Sequence, residues 1–251
     1  MVDPAREPTS HVIRSAIRPV GGTPPIDAHA AVLTFVGAWI AAQLVSSIVL
    51  TVLDGGADDT ATTSIGVLAA ALAAGWTCYL AGMWLASDRA GSGHPVDDYG
   101  ITFAPVDVIG LGIGALSQLV VVRVVYLPLE AIWPDTFTDD RLQENARELI
   151  DRAGGASTVL LFLIIVLGAP VVEELFYRGL LQRSLAGRFS EGLVVVGVAA
   201  VFAVVHFRPV EYPGLFAFGL VLGVVALRTG RLGMAITTHV GFNMTGLLLV
   251  W

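Results

Sequence analysis

Long apolar stretches separated by short polar segments run along most of the chain. A helix of about 20 mostly apolar residues is long enough to cross the hydrocarbon core of a bilayer, so each stretch is a candidate transmembrane helix. The candidates are residues 28–53, 61–87, 106–129, 157–184, 191–207, 212–228 and 231–251, of which the fifth and sixth are the shortest. The predicted fold class is therefore all-α, a polytopic membrane bundle of about seven transmembrane helices.

The polar segments indicate the domain organisation. Residues 1–27 hold several prolines among charged residues and predict a mobile N-terminal tail. Residues 28–251 then form a single transmembrane domain. The long polar stretch at residues 138–152 begins with acidic residues and ends with Arg152, a charge order that complements a helix dipole. We predict a helix there that lies at the membrane surface.

The composition supports a membrane protein and excludes several partners. Hydrophobic residues make up 55% of the chain and charged residues only 14%, with a mean hydropathy of +0.76, whereas soluble domains carry about a quarter charged residues. The net charge of −7 and the absence of a basic block argue against a nucleic-acid surface. Gly110 and Gly114 lie inside an apolar stretch with no strand before it, so they predict helix packing rather than a nucleotide loop. The expected partner is the lipid bilayer, with no nucleic acid and no nucleotide.

The distribution of arginines predicts the orientation in the membrane. With a cytoplasmic N-terminus, the cytoplasmic side holds the larger group of arginines. That group is Arg6, Arg14, Arg18, Arg89, Arg178, Arg183, Arg188, Arg228 and Arg231, against Arg141, Arg147, Arg152 and Arg208 outside. We therefore expect a multi-pass protein of the plasma (cytoplasmic) membrane with its N-terminus in the cytoplasm, although three arginines of the long external loop oppose this orientation.

Two adjacent carboxylates follow an uncharged run in the fourth apolar stretch. Ionisable groups inside a span are costly, which makes Glu173 and Glu174 candidates for function. In a helix Glu174 and Arg178 are one turn apart and are expected to form an ion pair, which can be purely architectural. Glu173 is rotated by about 100° from Glu174 and faces elsewhere. An unpaired carboxylate at this depth is expensive, so Glu173 is the stronger candidate for chemistry.

Three further polar side chains lie in later apolar stretches. His206 ends the fifth stretch, and His239 and Asn243 share one helix face in the seventh. Taken singly, His206 would be an interfacial residue and the other two a hydrogen bond between helices. At 1.5 Å per residue, Glu173 and His206 lie at similar depth, whereas His239 lies roughly one and a half turns shallower if both turns are level. The arithmetic permits one constellation of all four side chains inside the bilayer.

Together these residues form three short motifs. They are, in chain order, Glu173-Glu174-x-x-x-Arg178, Phe202-x-x-x-His206 and His239-x-x-x-Asn243. In this order they resemble the signature motifs of the CAAX protease and bacteriocin-processing (CPBP) family of intramembrane peptidases, which includes the type II prenyl-protein endopeptidases. The resemblance covers the C-terminal hundred or so residues and places a peptidase core at about 157–251.

The resemblance implies hydrolysis of a peptide bond within or at the edge of the bilayer. By motif position, Glu173 would be the general base that activates water, assisted by His206. His239 and Asn243 would stabilise the tetrahedral oxyanion. The remaining motif residues would have a supporting role: Glu174, Arg178 and Phe202. The substrate would be a membrane-embedded or lipidated, CAAX-like peptide.

The sequence leaves the metal dependence of the site open. Glu173, His206 and His239 could supply three zinc ligands with a fourth position for water, and family members have often been labelled metalloproteases. The chain has no His-Glu-x-x-His sequence, and the CAAX endopeptidases of this family look like glutamate-dependent enzymes. We therefore favour a site without metal or another cofactor, with zinc as the alternative.

Two other classes of function are compatible with the same residues. A transporter or proton relay would use a conduction path through Glu173, Arg123, His206 and His239. A non-catalytic membrane scaffold would need no chemistry from them. Arg123, inside the third stretch, needs an acidic partner or an aqueous cavity. It would serve either as a counter-charge for Glu174 or as a ligand for a substrate carboxylate.

Overall fold

The structure is a computed structural model, and it describes residues 26–54 and 63–251. The regular elements in that part of the chain are helices. They are α1 (Ala28–Leu53), α2 (Ile65–Ala90), α3 (Pro95–Tyr99), α4 (Pro105–Ile132), α5 (Asp139–Arg152), α6 (Ala156–Ala186), α7 (Glu191–Val204), α8 (Tyr212–Thr229) and α9 (Gly233–Val250). The all-α fold class is confirmed. Residues 1–25 of the predicted N-terminal tail lie outside the described residues.

Within the described residues, six helices are long and apolar enough to cross a membrane: α1, α2, α4, α6, α8 and α9. Helix α7 is shorter. Its 14 residues rise about 21 Å, less than the roughly 30 Å of a hydrocarbon core. The fifth predicted stretch, residues 191–207, extends past the end of α7 at Val204. The described part of the chain therefore has six long spans, whereas the sequence predicts about seven. The protein is a polytopic integral membrane protein.

Helix α5 is the polar helix predicted at the surface. Thr138 caps its N-terminus, because the Thr138 hydroxyl accepts a hydrogen bond from the backbone N–H of Arg141. Asp139 and Asp140 occupy its first turn and Arg152 its last, an order that complements the helix dipole. No residue of α5 is buried, so the predicted helix is confirmed and lies on the surface of the bundle, and its position at the membrane surface stays a prediction.

Arg123 in α4 has its acidic partners at the end of the same helix and in α5. Its Nη1 lies 2.6 Å from Oε1 of Glu130 and 3.6 Å from Oδ1 of Asp139. Glu174 pairs instead with Arg178. The hypothesis that Arg123 is the counter-charge of Glu174 is therefore wrong, because Glu130 meets the need of Arg123 for an acidic partner.

Glycines allow α4 and α9 to approach closely. A Cβ at Gly110 would overlap Thr237 and the backbone of α9, and one at Gly114 would overlap the carbonyl oxygen of Thr238. Gly241 of α9 is equally close to the backbone of α4. The predicted role of Gly110 and Gly114 as small-residue contacts between helices is confirmed.

Adding one methyl group at Gly114 should loosen this contact. We expect Gly114→Ala to lower the free energy of unfolding by ~1–3 kcal/mol, because the backbones of α4 and α9 must separate to make room. Gly112→Ala is the matched control: it lies two residues away on the same helix, with nothing within 4 Å of the added Cβ. The measurement is thermal unfolding of both variants in detergent. Equal midpoints for the two would contradict the packing role.

Candidate active site

The Glu174–Arg178 ion pair predicted from the spacing is present and fully buried. Nη1 of Arg178 lies 2.9 Å from Oε1 of Glu174, and both side chains have 0% exposure. Nη2 of Arg178 donates a hydrogen bond to the carbonyl of Gly219 in α8, at 3.2 Å. The guanidinium also lies 4.8 Å from the ring centroid of Phe202 in α7. Arg178 thus joins α6 to both α7 and α8.

Helix α6 is irregular where it carries the glutamates. It contains two stretches of π-helical turns, Leu163–Gly168 and Glu174–Gln182. Such turns are frequent at functional sites, because an added residue in the turn changes which side chains share a face. Glu173 lies just before the second stretch, with 22% of its side chain exposed. The two neighbouring carboxylates therefore differ in environment: Glu174 is sealed in the bundle, and Glu173 is accessible.

His239 connects the two glutamates. Its Nδ1 donates a hydrogen bond to Oε1 of Glu174 at 2.8 Å, because a carboxylate at neutral pH can only accept. Its Nε2 lies 3.9 Å from Oε2 of Glu173. The imidazole is buried, with the rings of Phe202 and Phe218 edge-on to it at 5.8 and 5.3 Å. The structure therefore places His239 level with both glutamates and not one and a half turns shallower.

His206 follows the end of α7 and has one nitrogen fixed. Its Nδ1 donates to the backbone carbonyl of Phe202 at 2.6 Å, since a carbonyl oxygen can only accept. In the neutral ring Nε2 is then a free acceptor. Phe207, the next residue, has a φ of +55°, a conformation that turns the chain sharply away from α7. This turn leaves His206 at the end of the helix, where its ring contacts Phe202.

Asn243 lies one turn beyond His239 on α9 and binds the backbone of α6. Its Nδ2 donates to the carbonyl of Ile165 at 2.8 Å. Pro170 in α6 has no backbone N–H, so a carbonyl of the preceding turn lacks its usual donor. The Asn243 amide supplies a donor there. The structure thus gives Asn243 a contact that joins α9 to α6. Its role as an oxyanion donor, which the resemblance implies, stays a prediction.

A partly open cavity of about 170 Å³ adjoins Glu173 and His206, enough room for several water molecules. Its other walls come mainly from α1 and α2. The wall residues from these two helices are Trp39, Ala42, Gln43, Ser46, Leu72, Gly75, Trp76 and Tyr79. His239 lies behind Glu173 and is not part of the lining. Glu173 and His206 thus line one cavity, His239 lies beside Glu173 outside its lining, and Asn243 is one helical turn away.

The sequence does not predict the part of the cavity wall that α1 and α2 form. Gln43 and Tyr79 carry no charge, so they did not stand out as buried ionisable groups. The available signal was spacing: Leu72, Trp76 and Tyr79 recur at intervals of four and three residues, which places them on one helix face.

The hydrogen bonds of the two histidines limit which atoms could bind zinc. Nδ1 of His239 is bound to Glu174 and Nδ1 of His206 to a carbonyl, so only their Nε2 atoms are available. Within residues 26–54 and 63–251, no three His, Cys, Asp or Glu side chains converge closely enough to hold a metal ion. The candidate ligand set of Glu173, His206 and His239 is therefore not arranged as one metal centre.

A comparison with known protein families finds a match in the C-terminal part of the chain. The family model of Rce1-like type II CAAX prenyl endopeptidases matches residues 155–245, a range that holds all three motifs. Comparisons with curated proteins and with solved structures find no match. The fold is that of an integral membrane protein, and its matched segment is similar to proteases of CAAX type. The similarity to the Rce1-like type II CAAX prenyl endopeptidase family covers the C-terminal segment, residues 155–245.

Proposed function

We propose that the protein is an intramembrane endopeptidase in which Glu173 activates water. One observation carries the proposal: an accessible carboxylate, Glu173, shares a cavity large enough for several waters with His206 and lies 3.9 Å from Nε2 of His239. A general base must reach a water that can reach the substrate carbonyl. Glu174 cannot serve as that base, because it is sealed in the bundle and bound to Arg178 and His239.

The reaction follows from this arrangement. A water between Glu173 and His206 attacks the carbonyl carbon of the scissile bond, and its proton passes to the Glu173 carboxylate as the carbon–oxygen bond forms. The carbonyl becomes a tetrahedral oxyanion. When it collapses, the carbon–nitrogen bond breaks, and the proton held by Glu173 passes to the leaving amine. Nε2 of His206 accepts a hydrogen bond from the second O–H of the water and so orients the lone pair of the water.

His239 and Glu174 support this step. The Glu174 carboxylate fixes the ring of His239 and balances the positive charge that forms when the imidazole takes a proton, as a buried acid does beside a catalytic histidine. His239 takes this proton from solvent before the substrate binds, donates a hydrogen bond from Nε2 toward the oxyanion and keeps the proton throughout, so that Glu173 alone carries the proton of the water to the leaving amine. Asn243, one turn further along α9, is the second proposed donor, through the N–H that does not bind Ile165.

We propose a membrane-associated, lipidated substrate of CAAX type. The cavity lies against two membrane-spanning helices and is lined by Trp39, Leu72 and Trp76 beside its polar groups. A peptide held in or against the bilayer reaches such a cavity without leaving the membrane. The family name specifies prenylated CAAX sequences, and we propose the same substrate class here.

We further propose that hydrolysis needs no metal or other cofactor, and the lack of a group of three possible metal ligands among residues 26–54 and 63–251 supports this. We also propose a location in the plasma membrane with a cytoplasmic N-terminus, an orientation that the arginine distribution supports. With that orientation, the cavity would serve substrates anchored in the same membrane.

The deciding experiment is a cleavage assay on the purified protein in lipid vesicles. The probe is a farnesylated CAAX peptide with a fluorophore and a quencher on either side of the scissile bond. We expect time-dependent cleavage, with little or none for the same peptide without its farnesyl group. A protein that cleaves neither peptide, but changes proton flux across sealed vesicles, would support the relay and contradict the peptidase.

The same assay, run with a chelator, tests whether hydrolysis needs a bound metal. We expect activity to stay within about twofold after incubation with EDTA or 1,10-phenanthroline, because the water is activated by side chains alone. Full loss of cleavage that is restored by zinc would overturn the metal-free proposal and leave the endopeptidase itself intact.

A further inference from the structure

Charge development on the substrate carbonyl oxygen requires hydrogen-bond donors in the cavity. Removing one such donor from an enzyme of this kind typically lowers kcat by ~10²–10³-fold. The two side chains implied as donors by the family motifs are set back here: His239 lies behind Glu173, and the amide of Asn243 binds Ile165. Neither lines the cavity. A donor in the cavity wall itself would complete the site.

Tyr79 of α2 has the properties of such a donor. It lines the cavity together with Glu173 and His206. Its hydroxyl has no hydrogen-bond partner among residues 26–54 and 63–251. By contrast, the hydroxyls of Tyr99 and Tyr126 donate to the backbone carbonyls of Met83 and Val210. A hydroxyl without a partner inside a membrane-spanning helix is costly, so it is expected to serve water or a substrate in the cavity.

The ring of Tyr79 is held in a fixed position. It stacks on Phe176 with the centroids 4.2 Å apart and the planes at 15°. Phe176 is fully buried and stacks in turn on Phe35 of α1, at 4.4 Å. This stack sets where the hydroxyl points before a substrate arrives, which is the condition for a preorganised donor.

Tyr79 also lies on a different wall from the base. Tyr177 lines the cavity too, but it follows Glu173 by one turn on α6, the helix that positions the attacking water. Tyr79 comes from α2, outside the matched segment 155–245. A donor from a facing helix can approach the carbonyl oxygen while Glu173 and the water approach the carbon.

We propose that Tyr79 is a further catalytic residue, whose phenolic O–H donates a hydrogen bond to the substrate carbonyl oxygen as it becomes the tetrahedral oxyanion. The inference rests on the proposed endopeptidase function. A phenol carries its proton at neutral pH and can donate a hydrogen bond through it. The proton stays on Tyr79 throughout, and the proton balance of hydrolysis remains with Glu173.

The test is Tyr79→Phe, which removes the hydroxyl and keeps the ring stacked on Phe176. We expect kcat for the farnesylated CAAX peptide to fall by ~10²-fold with KM within about twofold, because the bond forms only in the transition state. A peptide aldehyde, whose hydrate mimics the tetrahedral intermediate, should bind the variant more weakly by a similar factor. Thermal unfolding in detergent should be unchanged.

Tyr126→Phe is the matched control, because it loses a hydroxyl bound to Val210 rather than one in the cavity. It should keep the wild-type kcat. If Tyr79→Phe also keeps the wild-type kcat, or changes only KM, the inference is overturned while the endopeptidase stands. If the wild type cleaves nothing, the proposed function fails, and the role of Tyr79 fails with it.

Discussion

Glu173→Gln should abolish peptide hydrolysis and leave the fold intact. We expect kcat to fall by ~10³-fold, within the range that general-base catalysis supplies. Glutamine keeps the size of the side chain but cannot take the proton of the attacking water. Glu173 is partly exposed and bound neither to Arg178 nor by a hydrogen bond to His239. Its replacement therefore breaks no close contact of the bundle. The measurement is kcat for the farnesylated CAAX peptide, together with the midpoint of thermal unfolding.

Glu148→Gln, on the exposed face of α5, is the matched control and should retain full activity. A Glu173→Gln variant with more than a tenth of the wild-type kcat would exclude Glu173 as the base. Flux measurements on the same vesicles separate the rival function: a proton relay through Glu173 would lose its flux in this variant, although no peptide is cleaved.

Much of the site was predictable because its strongest signals are local. The Glu174–Arg178 pair follows from a four-residue spacing, and the long spans follow from apolar stretches. The contact between Glu174 and His239 joins residues 65 positions apart, and no spacing rule reaches that far. The depth arithmetic holds only for level turns and regular helices, whereas α6 contains two stretches of wider turns, so the position of His239 beside both glutamates does not follow from the sequence.

The cavity walls were less predictable, for a different reason. Sequence reasoning finds charges in apolar surroundings, and the wall from α1 and α2 consists of aromatic and amide side chains such as Tyr79 and Gln43. Each alone is indistinguishable from packing. The contact of Asn243 with Ile165 is equally hard to predict. Pro170 in α6 lacks the N–H that a carbonyl of the preceding turn would accept, and the donor that replaces it comes from α9. The two are adjacent only in the folded bundle.

Arg178→Leu should give the largest loss of stability of any single change considered. Removing one partner of a buried ion pair leaves the other charge uncompensated, at a cost of ~3–5 kcal/mol. Here the remaining charge is Glu174, which has 0% exposure and keeps only His239 as a partner. Arg178 also donates to Gly219, so its loss loosens α6 from α8. The measurement is the midpoint of thermal unfolding in detergent.

The double variant Glu174→Gln with Arg178→Leu separates two causes of lost stability. One is the loss of the ion pair itself, and the other is the buried Glu174 charge that Arg178→Leu leaves without its cation. Oε2 of Glu174 and Nε of Arg178 have no hydrogen-bond partner among the described residues, so the pair does not fully offset the desolvation of both groups. We therefore expect the double variant to recover most of the lost stability. Arg147→Leu breaks the exposed pair with Asp140 and should cost about 1 kcal/mol or less. If Arg178→Leu is no worse than Arg147→Leu, the buried pair does not hold the bundle together.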